Sequence, residues 1–144
     1  GRVMAMALDG VLHASTTVIW VKDVFTLGRG KYQNRYEPIW FGWSNSGVAF
    51  TDDRTLDNVW EIARPRASED HPTMKPVDVV ARGIGHSSRP GQSVFDPFLG
   101  SGTTMVAAEQ LGRICYGMEI EPKYVAVTLE RMAGMGLEPH LSAL

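Results

Sequence analysis

One stretch, Asp96-Pro97-Phe98-Leu99-Gly100-Ser101-Gly102-Thr103-Thr104, constrains this chain more than any other. The apolar run Ser93-Val94-Phe95 leads into Asp96 and reads as a short strand. Two glycines then turn the chain, and Thr103-Thr104 open a helix through Met105, Val106, Ala108 and Leu111, closed by Gly112. Ile114-Cys115-Tyr116-Gly117-Met118 is the next strand, ending at Glu119, and Pro122 opens a last helix carrying Tyr124, Val125, Leu129 and Met132. Strand, glycine turn, helix, strand is the right-handed βαβ unit of a parallel sheet.

That turn has a chemistry. A Cβ at Gly100 or Gly102 would intrude on a ligand lying against bare backbone. The helix start near Thr103 aims amide donors and the positive dipole end at the same place. No Gly-Lys-Ser/Thr ending follows, which argues against a triphosphate, and the third glycine of a dinucleotide fingerprint is missing. Glu119 stands where an acid accepts hydrogen bonds from both ribose hydroxyls of an adenosine-containing ligand. A ligand with a ribose, a carboxylate and no pyrophosphate fits these features: S-adenosyl-L-methionine.

The N-terminal half is less regular. The β-branched and aromatic run Thr16-Thr17-Val18-Ile19-Trp20-Val21 predicts a buried strand bounded by Lys22-Asp23. From Val24 to about Asn58 the expectation is one irregular loop, with Trp40, Phe41 and Trp43 as core or sheet-edge packing. Within the stretch from Lys22 to Tyr36, Lys22, Arg29, Lys31 and Arg35 stand against the single acid Asp23, with Tyr32 and Tyr36 interleaved. Such a segment suits contact with DNA phosphates and stacking on a base, and it equally suits a solvated loop. Val59 to Ile62 reads as a short strand and residues 63–70 as a polar linker. Pro76 opens a helix with Val77, Val80 and Ile84 on one face, weakened by Gly83 and Gly85.

Composition sets the outer bounds. A length of 144 residues suits one domain. Fourteen Lys and Arg against sixteen Asp and Glu give a formal charge of −2, which excludes a histone-like nucleic-acid binder. One cysteine, Cys115, excludes an internal disulfide and a multi-cysteine zinc site, and His13, His71, His86 and His140 lack ligand spacing. No metal site is expected. No apolar run approaches the ~20 residues that span a bilayer, and no signal peptide opens the chain. A cytoplasmic protein without a membrane partner is expected.

Three segments together, His71-Pro72-Thr73-Met74-Lys75-Pro76, Asp96 to Thr104 and Gly117-Met118-Glu119, resemble the C-terminal part of bacterial and phage site-specific DNA amino-methyltransferases. Trp20-Val21-Lys22-Asp23, Tyr36-Glu37-Pro38-Ile39 and Val59-Trp60-Glu61-Ile62 resemble the middle of the same enzymes, so the likeness covers nearly the whole chain. It implies an α/β, Rossmann-like, S-adenosylmethionine-dependent methyltransferase fold of three layers with a mostly parallel sheet, incomplete at its N-terminus. Residues 1–144 then form one partial domain, with 71–133 as its cofactor-binding half. By resemblance Thr73 and Lys75 border the methionine end of the cofactor. Lys75 alternatively just covers the start of the helix that Pro76 opens. Asp96, Phe98, Gly100, Ser101, Gly102, Thr103 and Thr104 line the central part of the cofactor, and Glu119 holds the ribose.

The resemblance implies methyl transfer to adenine N6 or cytosine N4 in double-stranded DNA, within restriction-modification. The catalytic signature of these enzymes, Asp/Asn/Ser-Pro-Pro-aromatic, occurs nowhere in the 144 residues. Its expected place is upstream of Gly1, which makes the chain inactive alone. The alternatives are a silent cofactor- or DNA-binding remnant, or one half of a split enzyme. A sheet lacking its first strands is expected to self-associate or to pair with an upstream polypeptide.

Overall fold

The structure, a computed structural model, describes residues 12–44, 51, 53–64 and 74–141. They fall in two compact units, 1–66 and 67–144.

In the first unit, β1 (His13–Thr26) lies between β2 (Asn34–Trp43) and β3 (Val59–Glu61). β2 runs antiparallel to β1, pairing Ile19 with Pro38, Trp20 with Glu37 and Val21 with Tyr36, and the register shifts between Val21 and Thr26. β3 runs parallel to β1 and sets Trp60 beside Trp20. Both indoles are buried, and Trp20 Nε1 donates to the Ile62 carbonyl at 2.7 Å. Removing two such rings from water is a large apolar gain for a three-stranded sheet. The Asn58 side-chain amide bonds the Thr17 carbonyl, and the Arg64 N–H donates to Asp23 Oδ1, which fastens the ends of β3 to β1.

The expected irregular loop over 24–58 is corrected here. β1 continues past Lys22-Asp23 to Thr26, and residues 34–43 form a ten-residue strand. Pro38, Gly42 and the charged Glu37 interrupt the apolar alternation that announces a strand, and pairing with β1 overrides that weak local signal.

The second unit contains α1 (Val77–Ser87), β4 (Ser93–Asp96), α2 (Thr103–Gln110), β5 (Ile114–Gly117) and α3 (Pro122–Gly134). β4 and β5 are parallel and in register from Ser93–Ile114 to Asp96–Gly117, as the βαβ pattern predicts. Ile84 of α1 packs on Ala107 and Ala108 of α2, with Val80, Val94, Leu111 and Cys115 around them. The two alanines are fully buried, and their small side chains let the helices approach closely. α1 runs through Gly83 and Gly85 because Val79 and Ile84 anchor it from within. Arg113 fastens its far end, donating from Nη2 to the Ser88 carbonyl at 2.7 Å.

α3 buries Met132 of the apolar set Tyr124, Val125, Leu129 and Met132, together with Thr128, while Val125 and Leu129 stay exposed. The helix turns a polar threonine inward, and its reason lies in the glycine turn.

Candidate cofactor site

β4 and β5 end level with each other, and the chain between β4 and α2 is stitched across their ends. The Met118 N–H donates to the Asp96 carbonyl and the Leu99 N–H to the Met118 carbonyl, both at 2.9 Å; the Gly102 N–H closes the turn on the Leu99 carbonyl. Gly100 and Gly102 adopt φ of +57° and +79°. A side chain in this left-handed region costs about 1–2 kcal/mol. A Cβ on Gly102 would also lie 2.7 Å from Thr128 Cγ2, whereas one on Gly100 would meet nothing nearer than the Phe98 carbonyl oxygen at 3.9 Å.

Two carboxylates hold this turn. Asp96 Oδ1 accepts the Phe98 N–H at 2.9 Å, and Oδ2 accepts the Thr104 hydroxyl at 2.6 Å. Asp96 thereby ties the strand end to the start of α2. Glu119 Oε2 accepts the Gly100 N–H and Oε1 the Glu121 N–H, both at 2.8 Å. The Glu121 amide first, with those of Gly100 and Ile120, holds the Glu119 carboxyl below its ordinary range against a smaller opposing effect of burial. Glu119 is therefore ionised at neutral pH, and each of its oxygens keeps a lone pair for a further donor. The first amides of α2, from Thr103 onward, have no intrahelical acceptor. Phe98, mostly exposed, stands at the rim of the turn.

Asp96, Phe98, Gly100, Ser101, Gly102, Thr103, Thr104 and Glu119 are thus gathered at the carboxyl ends of two neighbouring parallel strands. Lys75 stands exposed just ahead of Pro76, the residue that precedes α1. Thr73 lies outside the described residues. Burial, and secondarily the charge of Asp96, pushes the Cys115 thiol up to about 11, which disfavours the thiolate at neutral pH. Among the described residues no three His, Cys, Asp or Glu side chains gather as they would around a metal ion.

The sequence pattern missed two residues of α3. Thr128 Oγ1 donates to the Gly100 carbonyl at 3.1 Å, and Arg131 Nη1 donates to the Ser101 carbonyl. Their three-residue spacing places them on one helix face. That polar stripe, beside the expected apolar one, was the available signal.

In the first unit the basic segment is a hairpin tip between β1 and β2. Gln33 braces it, accepting the Gly28 N–H at 2.6 Å and donating to the Gly30 carbonyl at 2.9 Å. Arg29, Lys31 and Arg35 are exposed, with Tyr32 and Leu27 almost fully so. Arg35 Nε donates to the Lys22 carbonyl at 2.9 Å. Lys22 itself corrects the expectation of a DNA-facing cation. Its side chain is 4% exposed, 3.1 Å from Glu37 Oε1 and 5.8 Å from the Trp20 ring centroid. Strand pairing with β2 buries it against its counter-ion, away from any phosphate.

Residues 31–130 match the DNA methylase family N6_N4_Mtase. The chain belongs to that family.

Among curated relatives, this chain is 31% identical over 124 residues to the type II methyltransferase M2.LlaDCHI of Lactococcus lactis subsp. cremoris, covering 83% of the chain and 42% of the relative. It is 43% identical over 92 residues to the DNA adenine methyltransferase YhdJ of Escherichia coli (strain K12), covering 61% of the chain and 31% of the relative. The chain therefore spans less than half the length of these relatives. Among solved structures, the M1.HpyAVI–SAM complex superimposes with a TM-score of 0.75 at 24% identity, over 90% of this chain and 68% of that one. The cytosine-N4-specific PvuII DNA methyltransferase does so with a TM-score of 0.74 at 20% identity, over 98% and 57%. The chain thus has the α/β, Rossmann-like fold of S-adenosylmethionine-dependent DNA methyltransferases. The expected fold class stands.

Proposed function

We propose that this DNA methylase chain is the C-terminal, cofactor-binding portion of an enzyme that methylates the exocyclic amine of adenine or cytosine in double-stranded DNA, acting in the cytoplasm. It holds S-adenosyl-L-methionine over β4 and β5. One observation carries the reading: an ionised Glu119 and a two-glycine turn share one hydrogen-bonded frame at the carboxyl ends of parallel strands. Glu119 receives the ribose hydroxyls, and the bare backbone of Gly100 to Gly102 and the start of α2 lie against the rest of the cofactor. Thr73 and Lys75 border its methionine end. The bound group supplies an electrophilic methyl, and the chain's own task is to orient it.

Arg29, Lys31 and Arg35 meet DNA phosphates, supported by their exposure on a braced hairpin beside Tyr32. The missing Pro-Pro-aromatic tetrapeptide supports a chain that does not transfer methyl groups alone. That motif would hold the target amine of a flipped base. Calorimetric titration with S-adenosylhomocysteine tests the site: the wild type binds and Glu119→Ala binds at least tenfold more weakly. Equal affinity removes the ribose role.

The same absence favours a second reading, in which the chain is half of a split enzyme or a silent remnant. Adding a polypeptide that carries the tetrapeptide, then assaying labelled methyl incorporation into DNA, separates these. Incorporation marks the half-enzyme, and silence marks the remnant.

A further inference from the structure

Thr128 and Arg131 belong to no part of the site described by sequence pattern, and both spend their polar groups on the glycine turn. Thr128 is 4% exposed, yet its hydroxyl reaches the Gly100 carbonyl. Arg131, half-buried, reaches the next carbonyl, that of Ser101, and lies 3.5 Å from Thr103 Oγ1. The neighbouring amide of Gly100 is held from another direction by Glu119. Residue 100 is therefore fixed at both its N–H and its C=O, by groups on different elements.

Peptide planarity gives this grip a direction. The Gly100 carbonyl and the Ser101 N–H share one trans peptide plane and point opposite ways. With the carbonyl pinned to α3, the Ser101 N–H must face away from that helix. The Ser101 carbonyl and the Gly102 N–H share the next plane, whose N–H closes on Leu99. Left-handed glycines carry no Cβ to limit their rotation, so something else must hold these planes. An apolar residue at 128 would pack as well but leave a part-buried carbonyl without that donor.

We infer that Thr128 and Arg131 are positioning residues of the cofactor turn, fixing its peptide planes from behind so that the Ser101 N–H meets the ligand already oriented. This rests on the cofactor reading above and adds two residues outside the binding motif. Pre-organising a loop raises affinity by removing the ordering cost from the binding step.

The test is calorimetric titration of the full chain with S-adenosylhomocysteine, using Thr128→Val, Thr128→Ser, Arg131→Met and Arg131→Lys, with amide hydrogen exchange on each. Thr128→Val keeps the shape and loses the hydroxyl, and Arg131→Met keeps the stem and loses the donors. Each is expected to weaken binding about three- to tenfold, the scale of one hydrogen bond. Thr128→Ser and Arg131→Lys restore most of the affinity. Exchange quickens at residues 100–104 in the two disabling variants and stays unchanged at Ile84 and Ala107. Affinity within twofold of the wild type in both disabling variants overturns the inference and leaves the cofactor reading standing. Faster exchange throughout α1 and α2 also overturns it, because the two residues then only support the fold. A wild type that binds nothing overturns both.

Discussion

Replacing Gly102 by Ala tests the geometry of the turn, because a matched control lies two residues away. Both Gly100 and Gly102 have positive φ, so Ala at either position carries the left-handed cost of about 1–2 kcal/mol. Only Gly102 faces a wall: the new methyl would sit 2.7 Å from Thr128 Cγ2 and 2.9 Å from its Oγ1. Thr128 cannot swing aside freely, being β-branched on a helix with its hydroxyl bonded to the Gly100 carbonyl. Overpacking of this kind adds about 1–3 kcal/mol, for a total of about 2–5 kcal/mol. In a unit the size of residues 67–144, 1 kcal/mol moves Tm by about 4–8 °C. Scanning calorimetry should therefore place Gly102→Ala at least about 4 °C below Gly100→Ala. Adding Thr128→Ala to Gly102→Ala should recover the steric part, measured as a double-mutant cycle. Equal melting of the two glycine variants, or no recovery in the double variant, would refute the argument.

Other expectations follow from single residues. A Cβ on Gly85, inside α1, meets nothing within 4 Å, so Gly85→Ala should stabilise by about 0.5–1 kcal/mol in a denaturant melt. Because folding lowers the Glu119 pKa, its contribution is full above the unfolded value of about 4.3 and disappears as pH falls through the lower folded value. Acid unfolding of Glu119→Gln, followed by circular dichroism, should accordingly show a flatter limb than the wild type. Arg29→Ala and Lys31→Ala should each reduce the salt slope of DNA binding by about 1, while Lys22→Met leaves that slope unchanged; fluorescence anisotropy reads all three. With its thiol pushed up to about 11, Cys115 should resist iodoacetamide at pH 8 in the folded protein and react once unfolded.

The parts legible in sequence are those whose causes are local. The turn from Asp96 to Thr104 announces itself because two glycines at fixed spacing have few other uses between a strand and a helix, and Gly112 ends α2 where its position implies. The strand at 34–43 was hidden because its stability comes from pairing with β1 and not from its own alternation. Lys22 misled for the same reason: a lysine beside a basic loop looks solvated until Glu37 arrives opposite it. In α3 the apolar Val125 and Leu129 remain exposed, while Thr128 and Arg131 turn toward two backbone carbonyls that need donors. Helical spacing records which residues share a face, and leaves open what that face meets.

β2 is the outermost strand of its three-stranded sheet, and Pro38 stands opposite Ile19 near its middle. Proline is tolerated within a strand where its missing N–H faces away from the paired neighbour. The outer row of hydrogen-bonding groups then has a gap at its centre, with a rigid ring beside it. A second molecule approaching strand to strand along that border finds a broken ladder, which disfavours extension of the sheet from that side.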